Sequence, residues 1–457
     1  MVAGQLYPNL PGVLASVQDG GLRITKPTVA QKVTIIGVTD KTVVAINDPY
    51  PLVRAEDVNN FDLVSGAPSE ITRAVEEASN GGADNIEVVV TSNTPAISAA
   101  LRYDALDATY DLLLHTQMDI VCPAGIFLDT DTLDVAKNFG YQLADFAFHS
   151  TVNNNTVVGV IGTAPILGNE TGIPSLAQLS AHVTALAAFD TSGIQGRDIT
   201  IYDGVTDAGG DGVPDNYAFI GTDDRAIPVG TPPASAGNVL HDDRGNFIDI
   251  GAYINVFAGD YIFANETARR LYPTLGYYRG TAGPTYAGLI AGLPSWRGTT
   301  NLVLPSARPA RNYSLSQANT LIGARYACAM DKPGGFKVVK GVTGAYRIND
   351  YYRSDFTLLS TVKIVHSAIN IVRQVCEPFI GLPLNEVNAN SMDAAIDSGL
   401  AILQDTGALN GYDFSLTSSP AARVLGNLTV DIKLDVAIEI NQVTVKVALT
   451  PPAALEV

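Results

Sequence analysis

The sequence predicts a multidomain chain of mixed α/β and α+β class. An α/β body with a mostly parallel sheet is followed by a C-terminal α+β domain, which extended N- and C-terminal arms complete. Three observations carry this expectation. Short apolar runs alternate with helical stretches through the first two thirds of the 457 residues, a segment dense in proline and glycine opens the chain, and a strict period of two closes it. The divisions expected are an N-terminal extended arm (1–27), the body (28–309) with a loop-rich outer excursion at about 203–249, a three-helix C-terminal domain (310–427) and a terminal β ribbon or arm (428–457).

In the opening arm Pro8, Pro11, Gly12, Gly20, Gly21 and Pro27 forbid a long helix. Val13, Leu14 and Val17 fall in a stretch that can form one short strand, and a lone strand must pair with something. From residue 33 the character changes. Residues 33–38 read as a buried strand, and 69–78 as a short helix with Ile71, Ala74, Val75 and Ala78 on one face, stopped by Gly81 and Gly82. Further strands are expected at 86–90, 119–121, 157–161, 199–202 and 289–290, with helices near 99–115, 132–149 and 175–189. No internal repeat of fixed period is visible, which argues against a solenoid.

The excursion is rich in Asp, Gly, Pro and Asn, as exposed loops are. Inside it Asp207, Asp211 and Gly212 take the first, fifth and sixth places of an EF-hand-like loop. Gly209 and Ala218 stand where further calcium ligands belong, so a solvated acidic turn is the expectation.

In the C-terminal third, Ser314 and Gln317 have capping-box spacing before a helix expected to reach about residue 330. Residues 361–376 put Val362, Val365, Ile369, Val372 and Cys376 on one stripe, and Pro378 ends that helix. A third helix is expected from near Asn390, with Asp393 in its first turn, Ile396, Leu400 and Leu403 along it, and a stop at Gly407. In the final ribbon Leu428, Val430, Ile432, Leu434, Val436, Ile438 and Ile440 occupy alternate positions. Val443, Val445, Val447 and Leu449 resume on the other parity. Such a ribbon has more pairing capacity than one small sheet needs.

Composition narrows the function classes. Hydrophobic residues make up 46% and charged residues 16%, enough for a buried core and sparse for a fully solvated surface. A net charge of -18 without a basic cluster argues against an electrostatic grip on nucleic acid. Cys122, Cys328 and Cys376 have neither metal-ligand nor disulfide-framework spacing. The five histidines form no zinc-protease pattern, no nucleophile elbow is present, and Gly159, Gly162 and Gly168 are spaced wrongly for a dinucleotide fingerprint. No catalytic, cofactor or metal residue is therefore expected, and the chain is read as a non-enzyme. No apolar run is long enough to insert in a membrane, and the N-terminus lacks signal-peptide character.

Several motifs in order resemble the contractile tail sheath proteins of phages and related injection machines. They are Leu10-Pro11-Gly12-Val13-Leu14, then Glu70-Ile71-Thr72-Arg73-Ala74-Val75 with Asn80-Gly81-Gly82, then Gly341-Val342-Thr343, Tyr351-Tyr352-Arg353 and Gly407-Ala408-Leu409. The resemblance runs end to end and is strongest over 310–457. It implies a structural subunit of stacked hexameric rings around an inner tail tube, contracting to drive the tube through a host cell envelope. It also implies partners in further copies of the chain and in tube, baseplate and tail terminator proteins, with the virion tail, assembled in the host cytoplasm, as location. Strand-donating arms are implied at Pro11, Gly12, Val13, Leu14 and Val17, and at Val430, Ile432, Leu434, Val436, Ile438, Ile440, Val443, Val445 and Val447. Lys363 and Arg373 stand for the basic, tube-facing residues of the family's C-terminal helix. Three alternatives compete: the sheath of a non-phage contractile particle, an acidic surface-layer protein, and an α/β enzyme that would leave both arms without purpose.

Overall fold

The computed structural model describes residues 31–41, 45–52, 55–94, 99–128, 139–152, 155–189, 250–345, 355–418 and 428–439. It also describes short strands at 219–220, 237–238, 240–241, 247–248, 347–349 and 352–353. The first half of the chain lays down β1 (Val33–Val38), β2 (Pro49–Pro51), α1 (Glu70–Gly81), β3 (Ile86–Ser92), α2 (Ala99–Leu113) and β4 (Ile120–Pro123). It continues with β5 (Phe127–Leu128), α3 (Phe139–Val152), β6 (Val158–Thr163) and α4 (Leu176–Phe189). In the excursion β7 (Phe219–Ile220) pairs with β8 (Gly237–Asn238), and β9 (Leu240–His241) with β10 (Phe247–Ile248). The body resumes with β11 (Ile254–Phe257), β12 (Tyr261–Phe263), α5 (Glu266–Leu271), β13 (Tyr278–Gly280) and α6 (Gly283–Ala291). After these come β14 (Ala307–Pro309), α7 (Leu315–Gly323) and β15 (Tyr326–Ala327).

The main sheet has the order β15-β11-β6-β4-β1-β3-β2, with β5 beside β6. Every pairing in it is parallel except β2 with β3. Helices cover both faces, which is why its strands are apolar at successive positions. Ile35, Val88 and Cys122 face the core shared with α1 and α6, whereas Ile36, Val89 and Val121 face that shared with α2, α3, α4 and α7. The side chain of Ser69 accepts the Thr72 amide at 3.2 Å to cap α1, and Gly82 ends the helix at φ 118°. The crossing of α1 on α6 is close enough that a Cβ on Gly288 would overlap the Ala78 carbonyl oxygen, and one on Gly81 that of Thr285.

Residues 289–290, expected as a strand, lie inside α6. All of that helix except Leu289 is buried, so no polar face marks its period. The Ser314–Gln317 capping box is formed, at 3.2 and 2.9 Å, yet α7 stops at Gly323 rather than near 330. Arg325 then takes a left-handed φ of 64° and the chain turns into β15. Because β15 pairs with β11, hydrogen bonding crosses the division expected at residue 310. The strand expected at 199–202, the loop holding Asp207, Asp211 and Gly212, and residues 132–138 lie outside the described residues.

Two small hairpins follow, β16 (Ala329–Lys332) with β17 (Gly335–Val338) and β18 (Arg347–Asn349) with β19 (Tyr352–Arg353). The chain then forms α8 (Leu359–Cys376), α9 (Glu386–Asp405), β20 (Leu409–Thr417) and β21 (Thr429–Val436). The start of α9 precedes the expected Asn390, because Asn385 caps it by accepting the Asn388 amide at 2.9 Å.

Candidate functional site

The C-terminal helices and hairpin build a third apolar core of their own. Ile364, Ala368 and Val372 of α8 meet Ile396, Leu400 and Leu403 of α9 in a core separate from the two that flank the main sheet. The hairpin closes this core from above. Its inward cross-strand pairs are Tyr412 with Leu434, Phe414 with Ile432 and Leu416 with Val430. Its outward face is polar, with Asp413 and Lys433 3.9 Å apart and both largely exposed, a pair that contributes little to stability. Among the described residues neither outer edge of this two-stranded sheet is paired. Unpaired edges offer a row of amide and carbonyl groups to an incoming strand.

Val430, Ile432, Leu434 and Val436 are therefore not a free ribbon. They pair with β20 of their own chain and turn half-buried side chains to α8 and α9. Nothing in the sequence reading anticipated β20, although Tyr412, Phe414 and Leu416 alternate with Asp413, Ser415 and Thr417 as a half-buried strand should. Ile438 is 72% exposed. Pro11, Gly12, Val13, Leu14, Val17, Ile440, Val443, Val445 and Val447 lie outside the described residues.

The basic residues of α8 find acceptors within their own chain. Lys363, expected to face a tube, is 2% exposed, and its Nζ donates to the carbonyl oxygens of Ile290 at 2.9 Å and Leu293 at 3.1 Å. Burial brings its pKa down from 10.5 to about 7. Arg373 donates to the Thr151 carbonyl at 3.3 Å. Between them the His366 ring stacks on Tyr253 at 5.7 Å, and Asn370 donates to the Thr156 hydroxyl at 2.6 Å. Lys363, His366, Asn370 and Arg373 recur at helical spacing, so one stripe of α8 is a polar seam against the body. The acceptors of Lys363 and Arg373 belong to residues remote in sequence.

A hollow of about 360 Å³ opens at the carboxyl ends of β4 and β6, where open α/β sheets commonly bind ligands. Its charges are matched within the chain. Arg73 meets Glu170 at 2.7 Å, Arg102 meets Glu70 at 3.1 Å, and the Tyr278 hydroxyl donates to Glu77 at 2.5 Å. Burial raises the Glu77 carboxyl to about 8, so it is protonated at neutral pH. Gly162 and Gly168 line this hollow without forming a phosphate loop. Among the described residues no three His, Cys, Asp or Glu side chains converge as metal ligands, and no helix is long and apolar enough to cross a membrane.

No family model and no curated protein matches this chain. Solved structures do. The PVC sheath complex of an extracellular contractile injection system, in its contracted state, aligns over 98% of this chain and 99% of its own, with a TM-score of 0.57 and 12% identity. The helical sheath of the anti-feeding prophage, also contracted, aligns over 97% of this chain and 100% of its own, at 0.57 and 11%. This chain has the fold of contractile sheath proteins. A sheath tail protein from Desulfitobacterium hafniense shares it at a TM-score of 0.50 and 9% identity, over 93% and 100% of the two chains. The aligned spans take in both the body and the C-terminal unit.

Proposed function

We propose that this chain is the structural subunit of a contractile tail sheath. It polymerises as stacked hexameric rings around an inner tail tube and contracts to drive the tube through a cell envelope. The observation that carries the reading is the near-complete correspondence with sheath chains in both directions, 98% of this chain and 99% of that one. An unrelated α/β enzyme would share the main sheet but not also α8, α9 and the hairpin.

The open edges of β20 and β21 support strand exchange. The segment around Pro11 to Val17 of one subunit, and the tail beyond Glu439 of another, would extend the two-stranded sheet. Main-chain hydrogen bonds then link rigid bodies flexibly. Contraction is a rearrangement of those bodies toward greater contact area, driven by interface free energy stored at assembly. Neither nucleotide nor catalytic residue enters. Further copies of the chain, the tube, the baseplate and the tail terminator are its partners, and its place is the tail of a particle assembled in the host cytoplasm.

A second reading keeps the sheath and changes the particle. Two of the similar structures belong to an extracellular contractile injection system and an anti-feeding prophage, which favours a non-phage injection device. Electron microscopy of the purified protein, with and without the native inner tube, tests the shared core of both readings. Rings or tubes are expected. A strictly monomeric protein at high concentration, with the tube supplied as template, would refute both.

A further inference from the structure

The alternation that defines β21 inverts just past its end. Along the strand Val430, Ile432, Leu434 and Val436 are half-buried while Asp431, Lys433 and Asp435 are exposed. Two residues further on Ile438 is 72% exposed and Glu439 is half-buried. A strand running straight on would do the opposite. The Ala437 amide still donates to the Ala408 carbonyl of the hairpin, at 2.9 Å, so the chain rolls over between Ala437 and Glu439. That roll leaves an isoleucine in water, a cost that the regular alternation would have avoided.

What the roll gains is a contact with the body. The Glu439 carboxylate accepts the Thr300 hydroxyl at 2.8 Å, and the Thr300 oxygen in turn accepts the Gly341 amide at 3.2 Å. A bond from a hydroxyl to a carboxylate is charge-assisted and stronger than a neutral one. The carboxylate lies against Gly298, where the three atoms nearest to an added Cβ would all belong to Glu439. This niche stands on the packed core. Next to Thr300, the Thr299 and Tyr286 hydroxyls share a hydrogen bond of 2.9 Å, and their residues are 1% and 0% exposed.

We infer that Glu439 is a positioning residue for the C-terminal arm: clipped to Thr300 in the Gly298 niche, it roots residues 440–457 on the body and fixes the direction in which they leave for a neighbouring subunit. The inference rests on the strand-exchange reading and adds to it a fixed root. With the root held, the arm starts from one place and one heading, and joining a neighbour's sheet need not order the residues around the roll as well. Such pre-organisation strengthens association by removing part of its entropic cost. Released, the chain pivots beyond Ala437. Fixing even one further residue's backbone at assembly then weakens association about tenfold.

Two measurements on the full chain test it. The first reads the clip in the unassembled protein, through a nitroxide attached at Ile438→Cys in a chain whose half-buried thiol is removed by Cys376→Ser. Glu439→Ala, and Gly298→Ala from the body side, should each mobilise the label. Glu439→Gln keeps a side-chain carbonyl oxygen to accept from Thr300 and should restore most of the order. The second measures the protein concentration at which tubes form on the native inner tube. Both alanine variants should raise it about tenfold with the melting temperature within a few degrees of wild type, and Glu439→Gln should assemble nearly as wild type does. An indifferent label, or alanine variants that build tubes at the wild-type concentration, overturns the positioning role and leaves the sheath reading standing. So does a loss of tubes that follows a fall in melting temperature and is not rescued by Glu439→Gln, since Glu439 then only supports the fold. A wild-type chain that forms no tubes at all overturns both.

Discussion

Lys363 reaches from the middle of α8 to the carbonyl oxygen of Ile290, 2.9 Å away near the C-terminal end of α6. Its ammonium therefore caps a body helix from the C-terminal unit, where the partial negative charge of the helix end favours a cation. The charge is nevertheless costly, because the group is buried and its pKa falls from 10.5 to about 7.

That depression fixes a pH dependence. Between about pH 7 and 10.5 the unfolded chain holds a proton on Lys363 that the folded chain has released, so this residue's contribution to stability rises with pH. The contribution is complete above 10.5 and is lost as pH falls toward 7. In the difference between wild type and Lys363→Met, denaturant unfolding should show a slope approaching about 1.4 kcal/mol per pH unit across that window. A flat difference would mean that the ammonium is solvated and α8 is not docked as described.

His366 gives the acid counterpart. Burial first, and the positive charge of Arg373 second, hold its imidazole near 4 instead of 6.5. The unfolded chain takes up a proton below pH 6.5 that the folded chain refuses until about 4, so stability is lost as pH falls through this interval. The loss should amount to about 3 kcal/mol. His366→Phe keeps a ring to stack on Tyr253 and should remove most of it, measured as a smaller drop in melting temperature between pH 7 and 4.5. An unchanged drop would place the acid sensitivity elsewhere.

Gly288→Ala tests the crossing of α1 on α6. The added methyl would overlap the Ala78 carbonyl oxygen, a backbone atom that cannot rotate aside. The helices must separate, which costs about 1–3 kcal/mol in a packed core and outweighs the gain in helix propensity. Urea unfolding should show the loss. The neighbouring exposed turn offers the control: Gly66→Ala meets nothing within 4 Å but sits at φ 82°, so its cost is backbone strain alone.

Much of the body was legible because its strands are buried on both faces. Val33, Ile35 and Ile36 within four residues leave little choice but a covered parallel strand. The same rule fails for α6, where burial on nearly all sides removes the helical period from Thr285 to Ala291. The hairpin was half legible. Residues Val430 to Val436 advertise their alternation, but the identity of the partner strand depends on a register that spans residues 409–436. The contacts of Lys363 and Arg373 were not legible because a charged side chain on a helix is ordinarily solvated. Their acceptors at Ile290, Leu293 and Thr151 are supplied by tertiary contacts that no local pattern announces.

Where the C-terminal strand ends decides which truncation tests strand exchange. Stripping the chain from Leu428 onward removes β21 and uncovers Tyr412, Phe414 and Leu416, which pack on α8 and α9. That truncated protein should aggregate for reasons unrelated to assembly. A cut after Glu439 is different, because it keeps the whole of β21, and Glu439 still accepts the Thr300 hydroxyl at 2.8 Å. The shortened chain should remain soluble and melt within a few degrees of the full chain, on the order of what a sub-kilocalorie change produces. If the tail beyond Glu439 donates a strand to a neighbour's open edge, this protein should form neither rings nor tubes. Deletion of residues 1–20 should have the same outcome from the other end. Shortened chains that fold and still build contractile tubes would remove the arms from the mechanism, and would leave side-chain contacts between bodies to hold the sheath together.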